Sequence, residues 1–131
     1  ARADGLAHSC YANAASASTN LATLAMARED WPAAHQLASD SLDFLCRQPS
    51  PRTEAITRAV LILLAEHLDR PIDEALDHAR TLFGALAKAP VPEQVRKDAA
   101  AALDRLVQKY LSAHPEVDGP TWKHAQLPAL W

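Results

Sequence analysis

The chain has 131 residues, which suits one domain with a hydrophobic core of useful size. Apolar residues make up 49% of it, aromatic residues only 5%, and the formal net charge is -3 with both signs interspersed. No basic stripe is present, so we expect no nucleic-acid partner. The longest apolar run, 59–65, is far shorter than the ~20 residues of a membrane span, and two isolated cysteines indicate free thiols in a cytoplasmic location.

The beginning of the chain, residues 1–9, has no periodic apolar pattern, and we predict a flexible N-terminus there. A helical domain is predicted over residues 10–114. Its first helix runs from Cys10 to Arg28, and a cluster of Ser, Thr and Asn at 16–20 lowers its helix propensity, so packing must hold it. The face predicted to pack is made of small and apolar residues: Ala14, Ala17, Leu21, Leu24 and Ala25.

A second helix is predicted after Pro32, because proline is tolerated in the first turn. Apolar and small residues recur along it at helical spacing: Ala34, Leu37, Ala38, Ser41, Leu42 and Leu45. The sequence Pro49-Ser50-Pro51 ends this helix, and Ser50 is the predicted N-cap of the next one.

The segment from Thr53 to Arg70 is the most apolar of the chain and lies near its middle. A helix that is apolar nearly all round is buried on several sides. We therefore predict that this third helix is the centre of the fold, with neighbours before and after it in the chain.

Two amphipathic helices follow, one starting at Ile72 and one after Pro92. The fourth helix has an apolar stripe of Ile72, Ala75, Leu76, Ala79, Leu82, Phe83 and Leu86. The stripe of the fifth comprises Val95, Ala99, Ala102, Leu103, Leu106, Val107, Tyr110 and Leu111.

The C-terminal tail, residues 115–131, contains prolines and glycine that forbid a long helix, yet it carries two tryptophans. Such residues are unusual in a disordered end. Two interpretations remain open: the tail folds back over a seam of the helices, or it docks on another molecule.

The second and fourth helices align when the chain is shifted by about forty residues against itself. The shift superimposes Ala34 on Ala75, Ala38 on Ala79, Leu45 on Leu86, Pro49 on Pro90 and Pro51 on Pro92. An aromatic residue followed by Ala-x-x-x-Ala and a large apolar residue begins at Trp31 (WPAAHQLASDSL), and a similar pattern with isoleucine begins at Ile72 (IDEALDHARTLF). Both resemble the second helix of the tetratricopeptide repeat.

The resemblance implies an all-α fold of five antiparallel helices arranged as stacked helical hairpins, a TPR-like α-α superhelix. Helices 1, 3 and 5 would line its concave surface, and the chain departs from the family in its longer period and in lacking the Trp and Gly-x-x-Tyr of the first helix. A closed four- or five-helix bundle is the competing architecture. The residues predicted to contact a partner are Asn13, Asn20, Arg58, Arg105, Trp122 and Trp131.

The function predicted from this architecture is non-enzymatic: a bacterial-type adaptor, chaperone or regulatory module that binds a protein or peptide in an apolar groove. We expect no cofactor and no metal, and a homodimer is an alternative assembly.

The alternative function is a closed bundle with a small-molecule pocket or a ribonuclease activity. Arg28 and His35 resemble the Arg-spacer-His motif of the HEPN-type helical ribonucleases, although Trp31-Pro32 interrupts the spacer. His67 and His78 lie where antiparallel helices would bring them together, but neither HExxH spacing nor paired cysteines accompany them.

Overall fold

The computed structural model describes the backbone of residues 2–126 and the side chains of residues 11–126. Within that range the fold is all-α, as predicted, and sequential helices pack as antiparallel pairs. Six helices are present rather than five, and the first begins eight residues earlier than expected. They are α1 (Arg2–Ala27), α2 (Trp31–Arg47), α3 (Pro51–His67), α4 (Ile72–Arg80), α5 (Glu93–Ala113) and α6 (Gly119–Gln126).

Helix α3 is the centre of the fold, which confirms the prediction made from its apolar circumference. It packs against α1, α2, α4 and α5. The hydrophobic core consists of two clusters that meet on this helix: Ala55, Ala59 and Ile62 join residues of α4 and α5, whereas Leu61 and Leu64 join residues of α1 and α2. The core therefore exists only while both hairpins are docked on α3.

Alternate helices run in the same direction because each helix is antiparallel to the next. Contacts between side chains fix the relative positions of α1, α3 and α5. Thr19 on α1 bonds Thr57 on α3, 38 residues later, and Glu66 on α3 accepts from Arg105 on α5, 39 residues later. The three helices thus form one layer, with α3 in the middle and α1 and α5 on its flanks.

The helix ends follow local capping chemistry. Ser50 caps α3 as predicted: its Oγ accepts from the Thr53 N–H at 3.4 Å, and Pro51 occupies the first turn. One residue in each of the turns that follow α1 and α3 has a left-handed backbone conformation. These residues are Glu29, with φ 60°, and Asp69, with φ 52°. In both turns the next amide N–H bonds a carbonyl five residues back, the longer bond of a Schellman motif.

The fourth helix ends differently from the prediction. Its α-helical part stops at Arg80, and a π-helical turn, Thr81–Ala85, continues it. The carbonyls exposed at this end need donors. The Arg96 guanidinium of α5 supplies them, since it donates to the carbonyl oxygens of Leu82, Leu86 and Ala89 at 3.1, 2.8 and 2.8 Å. A single side chain therefore ties the end of α4 to α5.

The packed face of α1 is not the one predicted. Leu21 and Leu24 are 51% and 54% exposed, and Ala17 is exposed as well. The buried residues are Ala15, Ser18, Thr19 and Ala22, on a face rotated by roughly 100° around the helix. The small polar residues of the 16–20 cluster, which weaken the helix on their own, are the ones that hold it in place.

Three buried hydroxyls explain this rotation. Thr19 lies 2.8 Å from both the Ser41 and the Thr57 hydroxyl, so one residue from each of α1, α2 and α3 meets at a point. Ser41 donates to the Ala15 carbonyl and Thr57 to the Thr53 carbonyl. Each hydroxyl carries a single proton, so when Ser41 and Thr57 donate to those carbonyls, Thr19 donates to one of its two partners. Polar side chains pack here because every hydroxyl has a partner.

Residues 119–126 of the C-terminal tail fold back onto the other helices, which supports the first of the two interpretations of the tail. Trp122 stacks on Tyr110 of α5 with 4.9 Å between ring centroids, and it packs against the core cluster shared by α3, α4 and α5. Arg80 of α4 hydrogen bonds the carbonyl and side chain of Gln126. Trp131 lies outside the described residues.

Two further observations concern the described part of the chain. Cys46 is an exposed free thiol, and the side chain of Cys10 lies outside the described residues. Between residues 2 and 126, no helix is both long enough and apolar enough to cross a bilayer.

The hydroxyl junction predicts coupled effects on stability. Thr19→Val and Thr57→Val should each lower the free energy of unfolding by about 1 kcal/mol, because each removes one net hydrogen bond without changing side-chain volume much. The double variant should cost less than the sum by about 0.5 kcal/mol or more, because the two share a bond. Urea denaturation measures all three, with Thr23→Val, an exposed threonine on the same helix, as control. Additive losses would contradict the network.

The docking of α6 predicts a stability loss when its tryptophan is removed. Trp122→Ala should lower the free energy of unfolding by about 2 kcal/mol, because it deletes an aromatic stack and a half-buried apolar side chain. Glu116→Ala, an exposed change in the preceding turn, is the control and should have little effect. Equal melting temperatures for wild type and Trp122→Ala would mean that α6 contributes nothing to the fold.

Candidate functional site: a groove across α1, α3 and α5

A groove of about 230 Å³ crosses the layer formed by α1, α3 and α5. We term it the central groove. Its floor comes from α3 and its two walls from α1 and α5. The lining residues are Ile56, Ala59, Val60 and Leu63 on the floor, Thr23 and Met26 on one wall, and Val95 and Asp98 on the other. Most of this lining is apolar, and Leu63 and Ile56 are only half-buried.

The register of the three helices produces the groove. Residues that contact each other between neighbouring helices of the layer are 38 or 39 positions apart in the sequence. Outward-facing positions of α3 therefore lie level with outward-facing positions of α1 and α5. Ile56 and Leu63 are two turns apart and share one face of α3. That face is turned away from α2 and α4, which cover the other side of the helix. The groove is therefore a consequence of stacking hairpins on a helix without a polar face.

One end of the central groove is polar. A second cavity, of about 270 Å³, adjoins it and shares Ile56 as a lining residue. We term this cavity the polar end; the other residues that line it are Ser16, Thr19, Asn20, Arg52 and Thr53. Arg52 and Thr53 belong to the first turn of α3, where the helix dipole is positive. The polar end thus combines a cation, hydroxyls and an amide next to an apolar trough.

The opposite end of α3 and α5 is closed by ion pairs. Arg105 Nη2 donates to Glu66 Oε1 at 2.9 Å, and Lys109 Nζ lies 2.6 Å from an Asp69 oxygen. The hydrogen bond from Arg105 lowers the pKa of Glu66, and burial opposes that shift only in part. The first pair joins α3 to α5, and the second joins the turn after α3 to α5.

A different kind of cleft lies between α2 and α4. Its volume is about 290 Å³, and polar or titratable side chains dominate its lining: His35, Ser39, Asp43, Arg70, Glu74 and His78, with Leu42 and Leu61 beneath them. Among the described side chains, no group of three or more His, Cys, Asp or Glu residues is arranged to hold a metal ion.

We term this cavity between α2 and α4 the polar cleft. Its two histidines are uncharged at neutral pH. Burial, and next the positive charge of Arg58, lower the pKa of His78 to about 4. Arg58 lies 3.0 Å from His78 Nδ1, and because arginine only donates, that nitrogen is the acceptor and Nε2 carries the proton. Burial and then Arg70 lower the pKa of His35 as well.

The predicted partner contacts are scattered over the molecule. Asn20 lines the polar end of the central groove, and Asn13 is exposed on α1. Arg58 lies outside the groove, where it pairs with Glu54 and His78. Arg105 is exposed but paired with Glu66.

Trp122 packs on α5, and Trp131 lies outside the described residues. The groove contacts that the sequence analysis missed include Met26, Ile56, Leu63, Arg52 and Asp98. Two of them carried a signal: Ile56 and Leu63 are spaced by seven residues on a helix already known to be apolar all round.

The structure does not bring together His67 and His78, which the sequence analysis expected to be neighbours. His67 stacks on Trp31, with 3.8 Å between ring centroids and nearly parallel planes, whereas His78 bonds Arg58. Arg28 lies in the turn after α1, and His35 lies within α2 at the polar cleft. The residues of the ribonuclease-like motif are therefore on separate elements.

Comparisons with protein-family models, with curated proteins and with solved structures return no match to this chain.

The lowered pKa of His78 predicts acid sensitivity. Above pH 6.5 this histidine is neutral in both states, and its contribution to stability is complete. As the pH falls from 6.5 towards 4, the unfolded chain binds a proton that the native state excludes, and stability is lost by up to about 3 kcal/mol.

His78→Gln removes this titration while its side-chain oxygen can still accept from Arg58. We expect a shallower loss of stability than in wild type when urea midpoints are compared at pH 7, 6 and 5. His124→Gln changes an exposed histidine and is the matched control. The same pH slope in His78→Gln and wild type would show that His78 is not the residue responsible.

Proposed function

We propose that this protein is a non-enzymatic helical module that binds an apolar segment of another protein in the central groove. The observation that carries the proposal is the groove itself: a trough with a half-buried apolar floor, lined by α1, α3 and α5. Those are the three helices expected to line a concave surface in a stack of helical hairpins. The segment that best fits a trough between parallel helices is an amphipathic helix.

Recurrence within the fold supports the tetratricopeptide-like interpretation of the hairpins. The left-handed turn residues Glu29 and Asp69 occupy equivalent places after α1 and α3. In each turn the amide N–H of the next residue donates to the carbonyl oxygen five residues before it. Helix neighbours in the layer pair at similar separations on both sides of α3. Equivalent hairpins that expose equivalent faces are what such modules use to present a continuous binding surface.

The physical driving force would be burial of apolar surface that is now in contact with water. Leu63 and Ile56 on the floor would receive the apolar side chains of the partner, spaced at i, i+3/i+4 and i+7. Full burial of one such side chain contributes about 1.5–3 kcal/mol.

A small-molecule site is the second candidate, and the polar cleft between α2 and α4 favours it. Two neutral histidines, Ser39 and Asp43 offer hydrogen-bonding groups around one cavity. Binding there would leave the central groove unaffected, so mapping a ligand separates the two functions. A cytoplasmic location and a homodimer remain predictions from the sequence.

Peptide selection tests the groove. A displayed library of helical peptides should yield binders with apolar residues at the spacing above, and methyl NMR shifts should locate them at Ile56, Leu63 and Val95. Leu63→Glu should weaken these binders by about 10–100-fold, because it places a charge where an apolar side chain docks. Leu21→Glu makes the same substitution at an exposed leucine outside the groove and is the matched control.

The stability of each variant is measured alongside, and Val95→Glu repeats the test from the α5 wall if Leu63→Glu proves unstable. Binders that tolerate both groove variants, or that shift residues of the polar cleft instead, would contradict the proposal.

A further inference from the structure

The central groove has an exposed cation at one end. Arg52 is exposed at the polar end, and none of the described carboxylates forms an ion pair with it. Most other arginines are engaged: Arg58, Arg70, Arg80 and Arg105 all pair with acidic side chains. An exposed arginine beside a cavity is available to a ligand without first breaking a bond within the protein.

The surroundings of Arg52 favour an anionic group. The Ser16 hydroxyl and the Asn20 amide line the same cavity and can both donate. The cavity adjoins the first turn of α3, a 17-residue helix whose positive end attracts negative charge. The cation of Arg52, the two hydrogen-bond donors and the positive end of α3 therefore all favour an anion in this cavity, which opens directly into the apolar trough.

The wall on the α5 side carries the opposite sign. Asp98 is exposed in the groove lining, and its carboxylate accepts a hydrogen bond from the neutral amide of Gln94 at 2.7 Å. The two rim charges therefore have opposite signs at different positions along the groove. A partner that matches both must carry two complementary charges at a fixed spacing.

The register of α3 and α5 gives that spacing. Pairs between these helices are separated by 39 residues, so Asp98 lies level with Ala59, seven residues beyond Arg52 along α3. Seven residues of α-helix correspond to about 10 Å, or two turns. A bound helix would match both rim charges with an acidic and a basic residue seven positions apart on one face.

The dipoles give the direction. The lining helices α1, α3 and α5 all point the same way, so a helix lying against them is favoured in the antiparallel orientation. Its C-terminal side then faces Arg52 and the positive end of α3. The acidic residue must accordingly follow the basic one in the sequence of the partner.

We infer that the partner segment is an amphipathic helix with a basic residue seven positions before an acidic one, bound antiparallel to α3 with the acid at Arg52 and the base at Asp98. This inference rests on the proposed function, because it specifies the charge register of an apolar segment in the same groove. The apolar residues between the two charges would cover Ile56 and Leu63.

Designed peptides test the register. The probes are 15-residue helical peptides with identical leucine anchors that carry lysine seven positions before glutamate, glutamate seven positions before lysine, or glutamine at both places. Fluorescence anisotropy at low salt should show the lysine-first peptide binding about tenfold more tightly than the glutamate-first one, with the neutral peptide between them. The difference should shrink at high salt, because rim charges are screened.

Charge reversal in the protein completes the test. The double variant Arg52→Glu and Asp98→Lys keeps the net charge and should invert the preference between the two charged peptides. It should also fold, since an acidic residue suits the first turn of α3. Lys88→Glu with Asp104→Lys reverses two exposed charges outside the groove and should leave the preference unchanged.

The outcomes separate the two proposals. Equal binding of both charged peptides, or a preference for the glutamate-first peptide, overturns the charge register, even when Leu63→Glu still abolishes binding. Binding that survives Leu63→Glu in every peptide indicates failure of the groove itself.

Discussion

A helix that has no polar face must be covered from both sides, and this constraint determines the architecture of the chain. Helix α3 divides its buried residues between two core clusters, one shared with α1 and α2 and one shared with α4 and α5. Neither hairpin alone could keep α3 out of water. The requirement for both hairpins leaves α1 and α5 on the flanks of α3, and the trough between them is the central groove.

The contact between α1 and α3 includes buried hydroxyls as well as hydrophobic side chains. Thr19, Ser41 and Thr57 meet at the junction of three helices, and each of the three hydroxyls has a hydrogen-bond partner there. Hydrogen bonds are directional, so this junction fixes the rotation and height of α1 more sharply than leucine packing would. One consequence is that Leu21 and Leu24 point outward.

The two sides of the hairpin stack differ in chemistry. The central groove is apolar with single, oppositely charged residues at its rim, a combination suited to a polypeptide segment. The cleft between α2 and α4 is lined by the ion pair of Arg70 and Glu74 and by two histidines whose pKa values are lowered by burial and by nearby arginines. The charged side chains of the cleft are largely paired within the protein, whereas Arg52 at the groove forms no ion pair with a described carboxylate.

The sequence by itself determined the helical class, the central role of α3, the cap at Ser50 and the positions of the turns, because these follow from local propensity and from the period of apolar residues. The resemblance of two of its segments to the tetratricopeptide repeat implied that helices 1, 3 and 5 line a common surface. Only the tertiary structure decided which face of α1 is buried, since small polar residues pack when their hydroxyls find partners on other helices. Likewise, the pairing of Arg58 with His78, the availability of Arg52 and the return of α6 onto Tyr110 depend on residues that are distant in the sequence, and no local pattern specifies which distant side chains will meet.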